Sequence, residues 1–172
     1  MSGVECISCG KPKAVLNCDV CDDALCKKCD QILEADAFSF LESIPDSLKH
    51  VHYCGSCFDS TVAPELESYQ EIMERAKNAF VFFTTQKKET PLIKKSREVL
   101  KVSNCLDRDE TILRLAFLAA QADYNAIIDV EVESTKVRNG AYQTSRWGGS
   151  GVAAEIDGKK VDLQDKQNAV YR

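Results

Sequence analysis

Residues 6–30 read CISCGKPKAVLNCDVCDDALCKKCD, and Cys-Gly-Ser-Cys follows at residues 54–57. Together these stretches hold eight of the nine cysteines in the 172-residue chain. The eight form four Cys-x-x-Cys pairs: Cys6/Cys9, Cys18/Cys21, Cys26/Cys29 and Cys54/Cys57. This spacing lets two thiolates from one tight turn bind a tetrahedral zinc ion, and two pairs complete one site. Four pairs with no odd cysteine among them therefore predict two zinc ions, bound within residues 1–58.

The pairs can combine in two ways. Consecutive pairing joins the first pair with the second and the third with the fourth. Alternating pairing gives one site of Cys6, Cys9, Cys26 and Cys29, and another of Cys18, Cys21, Cys54 and Cys57. Only residues 22–25 separate the second and third pairs, and a short β-hairpin there would place its two ends at different sites, as in a cross-brace. We favour the alternating arrangement.

His50 and His52 precede the last pair, and either can substitute for a cysteine ligand. We expect both to be non-ligands, because Cys54 and Cys57 already complete the second site. We also expect the two metals to be structural, because a catalytic zinc keeps an open coordination position that four cysteines leave no room for.

Disulfide bonding is the alternative use of these cysteines. Residues 1–10 lack the apolar segment of a signal peptide, and no run of about 20 apolar residues occurs. We therefore expect a soluble cytoplasmic protein, in whose compartment thiols stay reduced. That expectation favours metal binding over disulfides.

Residues 6–30 resemble a B-box zinc finger and share the C-x₂-C-x₄-C-x₂-C core of FYVE and other cross-brace fingers. The resemblance implies a small treble-clef-like fold. FYVE fingers bind a phospholipid through a basic patch beside the third cysteine, where this chain has Val15, Leu16 and Asn17, followed by Asp19. We therefore expect no membrane binding.

The net charge of the first 57 residues indicates which class of partner the finger binds. Residues 1–57 contain five Lys/Arg and nine Asp/Glu, a net charge of −4, within a whole-chain charge of −5. Nucleic-acid binding needs clustered basic residues, so we expect no nucleic-acid partner and favour a protein partner. RING-type ligases share the cross-brace, so a role in the ubiquitin system remains an alternative.

Two helices are predicted between the finger and the rest of the chain. Residues 31–43 are expected to form a helix that ends before Pro45 and packs on the second zinc site. Residues 64–79 carry Leu66, Tyr69, Ile72 and Met73 on one face, which predicts a helix within a linker spanning residues 59–79.

The remaining residues, 80–172, predict an α+β domain in the order β-β-α-β-β, with one helix on an antiparallel sheet. The strands are expected at residues 79–86, 97–104, 125–135 and 141–156, and a fifth is possible in KKVDL after the Asp157–Gly158 turn. Asp107 is a candidate N-cap of the helix, with Glu110 three residues later. This helix is apolar nearly all round, so either the sheet or a second subunit must cover it.

Residues 80–160 resemble the YbjQ-like family, once described as heavy-metal-binding. The likeness rests on Thr84-Thr85-Gln86, on ADYNAIIDVEVEST at the helix-to-strand junction and on the late strand GSGVAAEI. It implies an intertwined homo-oligomer, often a pentamer, with no established catalytic activity.

No catalytic site is predicted in the second half. Helix capping explains Asp107, Asp109 and Glu110 better than a cation site does, because they lack the spaced ligands of a calcium loop. A strand bend explains the glycines of Arg146-Trp147-Gly-Gly-Ser-Gly better than an anion cradle. Cys105 has no flanking His or Lys, which indicates a buried residue rather than a nucleophile.

We therefore expect a non-enzymatic protein in which a two-zinc finger mediates protein contacts and the second domain assembles copies of the chain, raising avidity. A metal or small-ligand sensor is the alternative. It requires polar residues that converge in one pocket of the second domain.

Overall fold

The computed structural model describes residues 4–86 and 89–161, and the chain divides into two compact units, Met1–Gln70 and Glu71–Arg172. Within the described residues, the first unit contains the short strands β1 (Leu16–Asn17), β2 (Ala24–Leu25), β3 (Gln31–Ile32) and β4 (His52–Tyr53). A 3-10 turn (Asp46–Leu48), the short helix α1 (Gly55–Cys57) and a π-helical segment (Phe58–Val62) precede helix α2 (Ala63–Lys77). The division falls inside α2, whose bounds are close to those of the helix predicted over residues 64–79. The expected domain limits at residues 58 and 79 remain predictions.

The first unit is built on two small antiparallel ribbons. Strand β1 pairs with β2, with Leu16 opposite Leu25, and β3 pairs with β4, with Ile32 opposite His52. A small apolar cluster lies beyond the ribbons, formed by the buried Leu33, Phe38, Leu48, Tyr53 and Val62. Leu33 and Phe38 belong to residues 31–43, and Cys57 packs against the cluster. Residues 31–43 therefore lie next to the second group of cysteines, as expected.

The helix predicted over residues 31–43 is wrong. Gln31 and Ile32 form strand β3 instead, because they pair with β4. Residues 35–40 then follow a series of turns, in which the N–H of Ser39 donates to the carbonyl of Asp36. Pairing with a distant strand and closure around the cysteines override a weak local helix preference.

The second unit is a mixed α+β fold, with strands β5 (Phe80–Phe83), β6 (Leu92–Cys105), β7 (Ala126–Asn139) and β8 (Tyr142–Ile156) around helix α3 (Arg108–Gln121). The strand order is β5-β7-β8-β6. The expected antiparallel sheet needs one correction, since β5 and β7 are parallel while β8 pairs antiparallel with β7 and β6. The strands β5 and β7 are joined through β6 and α3, and this long connection lets them run in the same direction.

Helix α3 is covered within its own chain. Eight of its residues are buried: Thr111, Ile112, Leu113, Leu115, Ala116, Phe117, Ala119 and Ala120. The helix contacts β6, β7 and β8. The all-round apolar pattern therefore requires no second subunit, and that argument for an oligomer falls away.

Both faces of the sheet carry apolar residues. Because side chains alternate along a strand, Ile127 lies on the face of α3, whereas Ala126 and Ile128 lie on the opposite face. There they form a second cluster, whose other members are Phe82, Ala154, Ile156 and Val161. The second unit thus has buried apolar residues on both faces of the sheet, with α3 on one face and this cluster on the other.

Strands β7 and β8 form one long hairpin. Asn139 pairs with Tyr142, and Gly140 lies in the turn between the two strands with a φ of +63°. The next turn, at Asp157–Gly158, is also present, since the N–H of Lys160 donates to the carbonyl of Asp157. Residues 159–161 form no strand, and the rest of the possible fifth strand lies outside the described residues. No helix in the described parts of the chain is long and apolar enough to cross a membrane.

Candidate metal centre

The first group of cysteines, here called tetrad 1, consists of Cys6, Cys9, Cys26 and Cys29. Two tight turns supply it. In the first, the N–H of Gly10 donates to the carbonyl of Cys6, and Gly10 adopts a φ of +64°. In the second, the N–H of Cys29 donates to the carbonyl of Cys26. Cys6 and Cys26 are buried, Cys29 is half-buried and Cys9 is exposed.

The second group, tetrad 2, consists of Cys18, Cys21, Cys54 and Cys57. The turn after Cys18 is closed by Asp22, whose N–H donates to the carbonyl of Cys18 and whose φ is +62°. Cys54 precedes α1, and its sulfur accepts a hydrogen bond from the N–H of Cys57. The geometry of these knuckles therefore comes from the backbone around each pair.

The ribbon of β1 and β2 explains why the pairs alternate. Asn17 lies opposite Ala24, so Cys18 and Cys26 each follow a strand of this two-residue ribbon. The strands run in opposite directions, so their carboxyl ends lie at opposite ends of the ribbon. The structure brings together the same two sets of four that alternating pairing predicts, and consecutive pairing does not describe it.

The spacing of the sulfur atoms fits a tetrahedral metal ion. Within each tetrad the four sulfurs lie within 4.8 Å of one another. The distance is 3.8 Å between the Sγ atoms of Cys9 and Cys26, and also between those of Cys21 and Cys54. A tetrahedron with metal–sulfur bonds of about 2.3 Å has sulfur–sulfur edges of about 3.8 Å. All eight cysteines are free thiols, so each tetrad is able to hold one metal ion.

The polar surroundings stabilise negative charge on buried sulfurs of both tetrads. The backbone N–H of Cys26 is the main cause that lowers the pKa of Cys6 to about 6. Burial opposes ionisation of Cys18, but N–H groups of Cys21 and Cys54 outweigh it and lower the pKa of Cys18 to about 6. Thiolates bind metals, so these donors prepare each tetrad for a cation.

Each tetrad also contains a thiol whose neighbouring cysteines raise its pKa, so that it holds its proton when no metal is bound. Side-chain hydrogen bonding with Cys26 raises the pKa of Cys29 to about 12, and hydrogen bonding with Cys54 raises the pKa of Cys57 to about 11. A bound divalent ion has to displace these protons, so metal affinity in both tetrads is expected to fall with decreasing pH.

Neither histidine belongs to a tetrad. Nδ1 of His52 lies 2.8 Å from Oδ2 of Asp30, and its backbone N–H donates to Asp19. The ring of His50 stacks edge-on near Tyr53, with centroids 6.2 Å apart. The second carboxylate oxygen of Asp30, Oδ1, is buried without a hydrogen-bond partner among the described residues. His52 thus has a structural partner in place of a metal.

The other candidate residues have structural positions in the second unit. Asp107 caps α3 by accepting from the N–H of Glu110, whose own carboxylate accepts from the N–H of Leu106. A Cβ at Gly149 would lie 2.7 Å from the carbonyl oxygen of Glu131, so this glycine permits a close approach of β8 to β7. Cys105 is buried.

A concavity of about 750 Å³ lies on the sheet of the second unit. Its lining includes Lys101, Glu131, Glu133, Arg146 and Trp147. Of these five residues, the sequence analysis named only Arg146 and Trp147. The strand patterns alone do not show that β6, β7 and β8 are neighbours in the sheet.

A feature missed by sequence reasoning lies beside tetrad 1. Four lysines, Lys11, Lys13, Lys27 and Lys28, line a groove of about 510 Å³ together with Val15 and cysteines of the tetrad. We call it the lysine groove. The sequence contained a signal for this groove. These lysines are four of the five basic residues in residues 1–57, and each lies within four residues of a cysteine of tetrad 1.

Comparison with known proteins adds no family. No family model matches the chain, and neither a curated protein nor a solved structure shows significant similarity to it. The resemblances to B-box and YbjQ-like proteins are not confirmed, and the two cysteine tetrads carry the functional argument.

Proposed function

We propose that the first unit is a cross-brace finger that binds two zinc ions, one in each tetrad, and serves as a non-enzymatic protein-interaction module. The observation that carries the proposal is the pair of four-sulfur groups with the edge length of a zinc–thiolate tetrahedron. Thiolate ligands favour zinc over calcium or magnesium.

The metals have a structural role in this proposal. Around the tetrads, the cluster of buried residues consists of Cys6, Cys18, Leu25, Cys26 and Cys54. Four of these five residues are the proposed metal ligands, so little apolar surface remains to hold the β1–β2 ribbon in place without metal. Zinc binding then supplies the folding free energy that such a small core lacks.

A protein partner fits the surface of the finger. Val4, Ile7, Val15 and Val20 are large apolar residues that lie 45–65% exposed. These residues offer apolar surface that a partner protein would bury on binding. The net charge of −4 over residues 1–57 disfavours a nucleic-acid partner.

We further propose that the second unit assembles copies of the chain, so that several fingers are presented together. Support comes from the long β7–β8 hairpin. Strand β6 pairs with β8 only as far as Cys105 opposite Trp147, and the hairpin continues beyond this pair to its turn. Val137 and Tyr142 are exposed on it, at 44% and 80%. A scaffold of this kind would raise weak finger contacts through avidity.

Native mass spectrometry of the purified full-length chain tests both parts. We expect two zinc ions per chain and a defined multi-chain assembly. A monomer with two zinc ions would remove the scaffold and keep the finger. Fewer than two metals, with the mass deficit of disulfides, would overturn the finger itself.

The sheet concavity favours a second candidate, a small-ligand sensor. Polar residues of opposite charge converge there, including Lys101, Glu131 and Arg146. A ligand screen by thermal shift, comparing the wild type with Arg146→Ala, tests this function. A ligand whose stabilisation is lost in the variant supports it, and a wild type without any stabilising ligand argues for the scaffold alone.

A further inference from the structure

The lysine groove is a concentration of positive charge on an acidic unit. Lys11 and Lys13 follow the first cysteine pair, and Lys27 and Lys28 lie between Cys26 and Cys29. All four side chains are exposed. None of them forms an ion pair with any residue in the described part of the chain, in contrast to Lys49, which pairs with Asp46 at 2.6 Å. Their charges are therefore free to meet a ligand.

Neutralising the metal site does not account for this number of lysines. Four thiolates and one divalent ion carry a charge of −2, whereas the four lysines carry +4. Among the residues that the structure describes, no carboxylate lines the groove, so the groove itself keeps a surplus of positive charge.

Tetrad 2 provides an internal comparison. It has the same four thiolates, yet the surface pocket beside it is lined by Ile7, Ser8, Asp23 and Ser56 with cysteines of the tetrad, and by no lysine. A four-cysteine site in this chain thus needs no surrounding lysines. The cluster at tetrad 1 calls for a separate explanation.

We propose that the lysine groove binds an acidic peptide segment of a partner protein, with an apolar side chain of that segment packed on Val15. The proposal rests on the proposed function, because it names the partner of the same finger. Val15 is 65% exposed and lines the groove, so the groove offers an apolar contact between cationic groups. Carboxylates flanking an apolar residue complement both features.

Charge distribution favours a short peptide over nucleic acid. Away from the groove, residues 1–57 carry nine acidic residues and one lysine. A long polyanion would extend over those carboxylates and be repelled, whereas a segment of a few residues fits within about 510 Å³.

The test uses the zinc-loaded full-length chain. A random peptide library is selected on the wild type and on a variant with Lys→Gln at positions 11, 13, 27 and 28. The matched control carries Lys→Gln at the exposed positions 95, 136, 159 and 160, which changes the net charge equally. A recovered peptide is then measured by fluorescence anisotropy, together with a thymidine oligonucleotide and vesicles containing phosphatidylserine.

We expect Asp and Glu to be enriched among the wild-type peptides, next to an apolar residue. If each lysine contributes about twofold, as an exposed charge pair does, the groove variant binds more than about tenfold more weakly, and the control is unchanged. Binding should also weaken with added salt. No acidic enrichment, equal binding by the groove variant, or tighter binding of oligonucleotide or vesicles would overturn the proposal.

Metal content separates failure of the groove from failure of the finger. Two zinc ions in every variant, with no loss of peptide binding, would reject the groove and leave the finger intact. No zinc in the wild type would reject the finger. If the four-lysine variant itself loses zinc, Lys11→Gln with Lys13→Gln takes its place, with an expected loss of about fourfold on the same basis.

Discussion

The alternating arrangement of ligands makes a sharp prediction about which cysteines can be removed together. Replacing Cys6, Cys9, Cys26 and Cys29 by serine deletes tetrad 1 and leaves tetrad 2 complete. Replacing the first two pairs instead, at positions 6, 9, 18 and 21, takes two ligands from each tetrad. The two variants contain the same number of substitutions, so each is a control for the other.

The expected metal content follows from the sulfur positions. The variant without tetrad 1 should hold one zinc ion, because the sulfurs of tetrad 2 remain within 4.8 Å of one another. The other variant should hold none after gel filtration, because each site keeps only two thiolates. A structural zinc in a small finger contributes about 10–16 kcal/mol of apparent binding free energy, which is enough to keep one intact site loaded.

Zinc content by native mass spectrometry and the absorption of cobalt-substituted protein provide the assay. Four-sulfur coordination of cobalt is distinguishable from sites with fewer thiolates. The opposite result, one metal in the second variant and none in the first, would establish consecutive pairing and refute the arrangement described above. The reciprocal variant without tetrad 2 should again hold one metal.

Two further predictions concern the second unit. Gly149→Ala places a Cβ 2.7 Å from the carbonyl oxygen of Glu131, so we expect a loss of about 1–3 kcal/mol in unfolding free energy, with the exposed Ser145→Ala as a neutral control. Asn125 donates to the carbonyl of Ile156 at 3.0 Å and accepts from its N–H at 2.9 Å. Asn125→Ala should cost about 1–3 kcal/mol in chemical denaturation, and an effect no larger than that of the exposed Asn139→Ala would contradict this role.

The sequence predicts the metal centre well because its information is local. A Cys-x-x-Cys turn can be recognised within four residues, and the short separation of Cys21 and Cys26 limits how the pairs combine. Helix α3 is also local, since Asp107 caps it and an apolar stretch follows. These features depend on neighbours in the chain.

The errors arise where distant residues decide the structure. Gln31 and Ile32 become a strand only through pairing with β4, some 20 residues later, which no local pattern reveals. The parallel pairing of β5 with β7 likewise depends on the order of the strands in the sheet, which local patterns do not specify. The lysine groove was overlooked because the net charge of a segment hides how its charges are distributed around a folded site.

The role of His52 distinguishes a ligand from a structural residue. Its Nδ1 lies 2.8 Å from Asp30, whose side chain is 3% exposed and whose Oδ1 has no hydrogen-bond partner among the residues described. His52→Ala would leave this carboxylate without its side-chain partner, at a cost of about 1–3 kcal/mol in unfolding free energy. His52→Gln, which keeps a donor, should lose less.

Metal content makes this prediction decisive. Both His52 variants and His50→Ala should retain two zinc ions, because neither ring belongs to a tetrad. Cys54→Ser, two residues from His52, should weaken zinc binding by tetrad 2 and leave the zinc occupancy of tetrad 1 unchanged. A drop to one zinc in a histidine variant would show that the ring is a ligand, and the second site would then be a mixed cysteine–histidine centre.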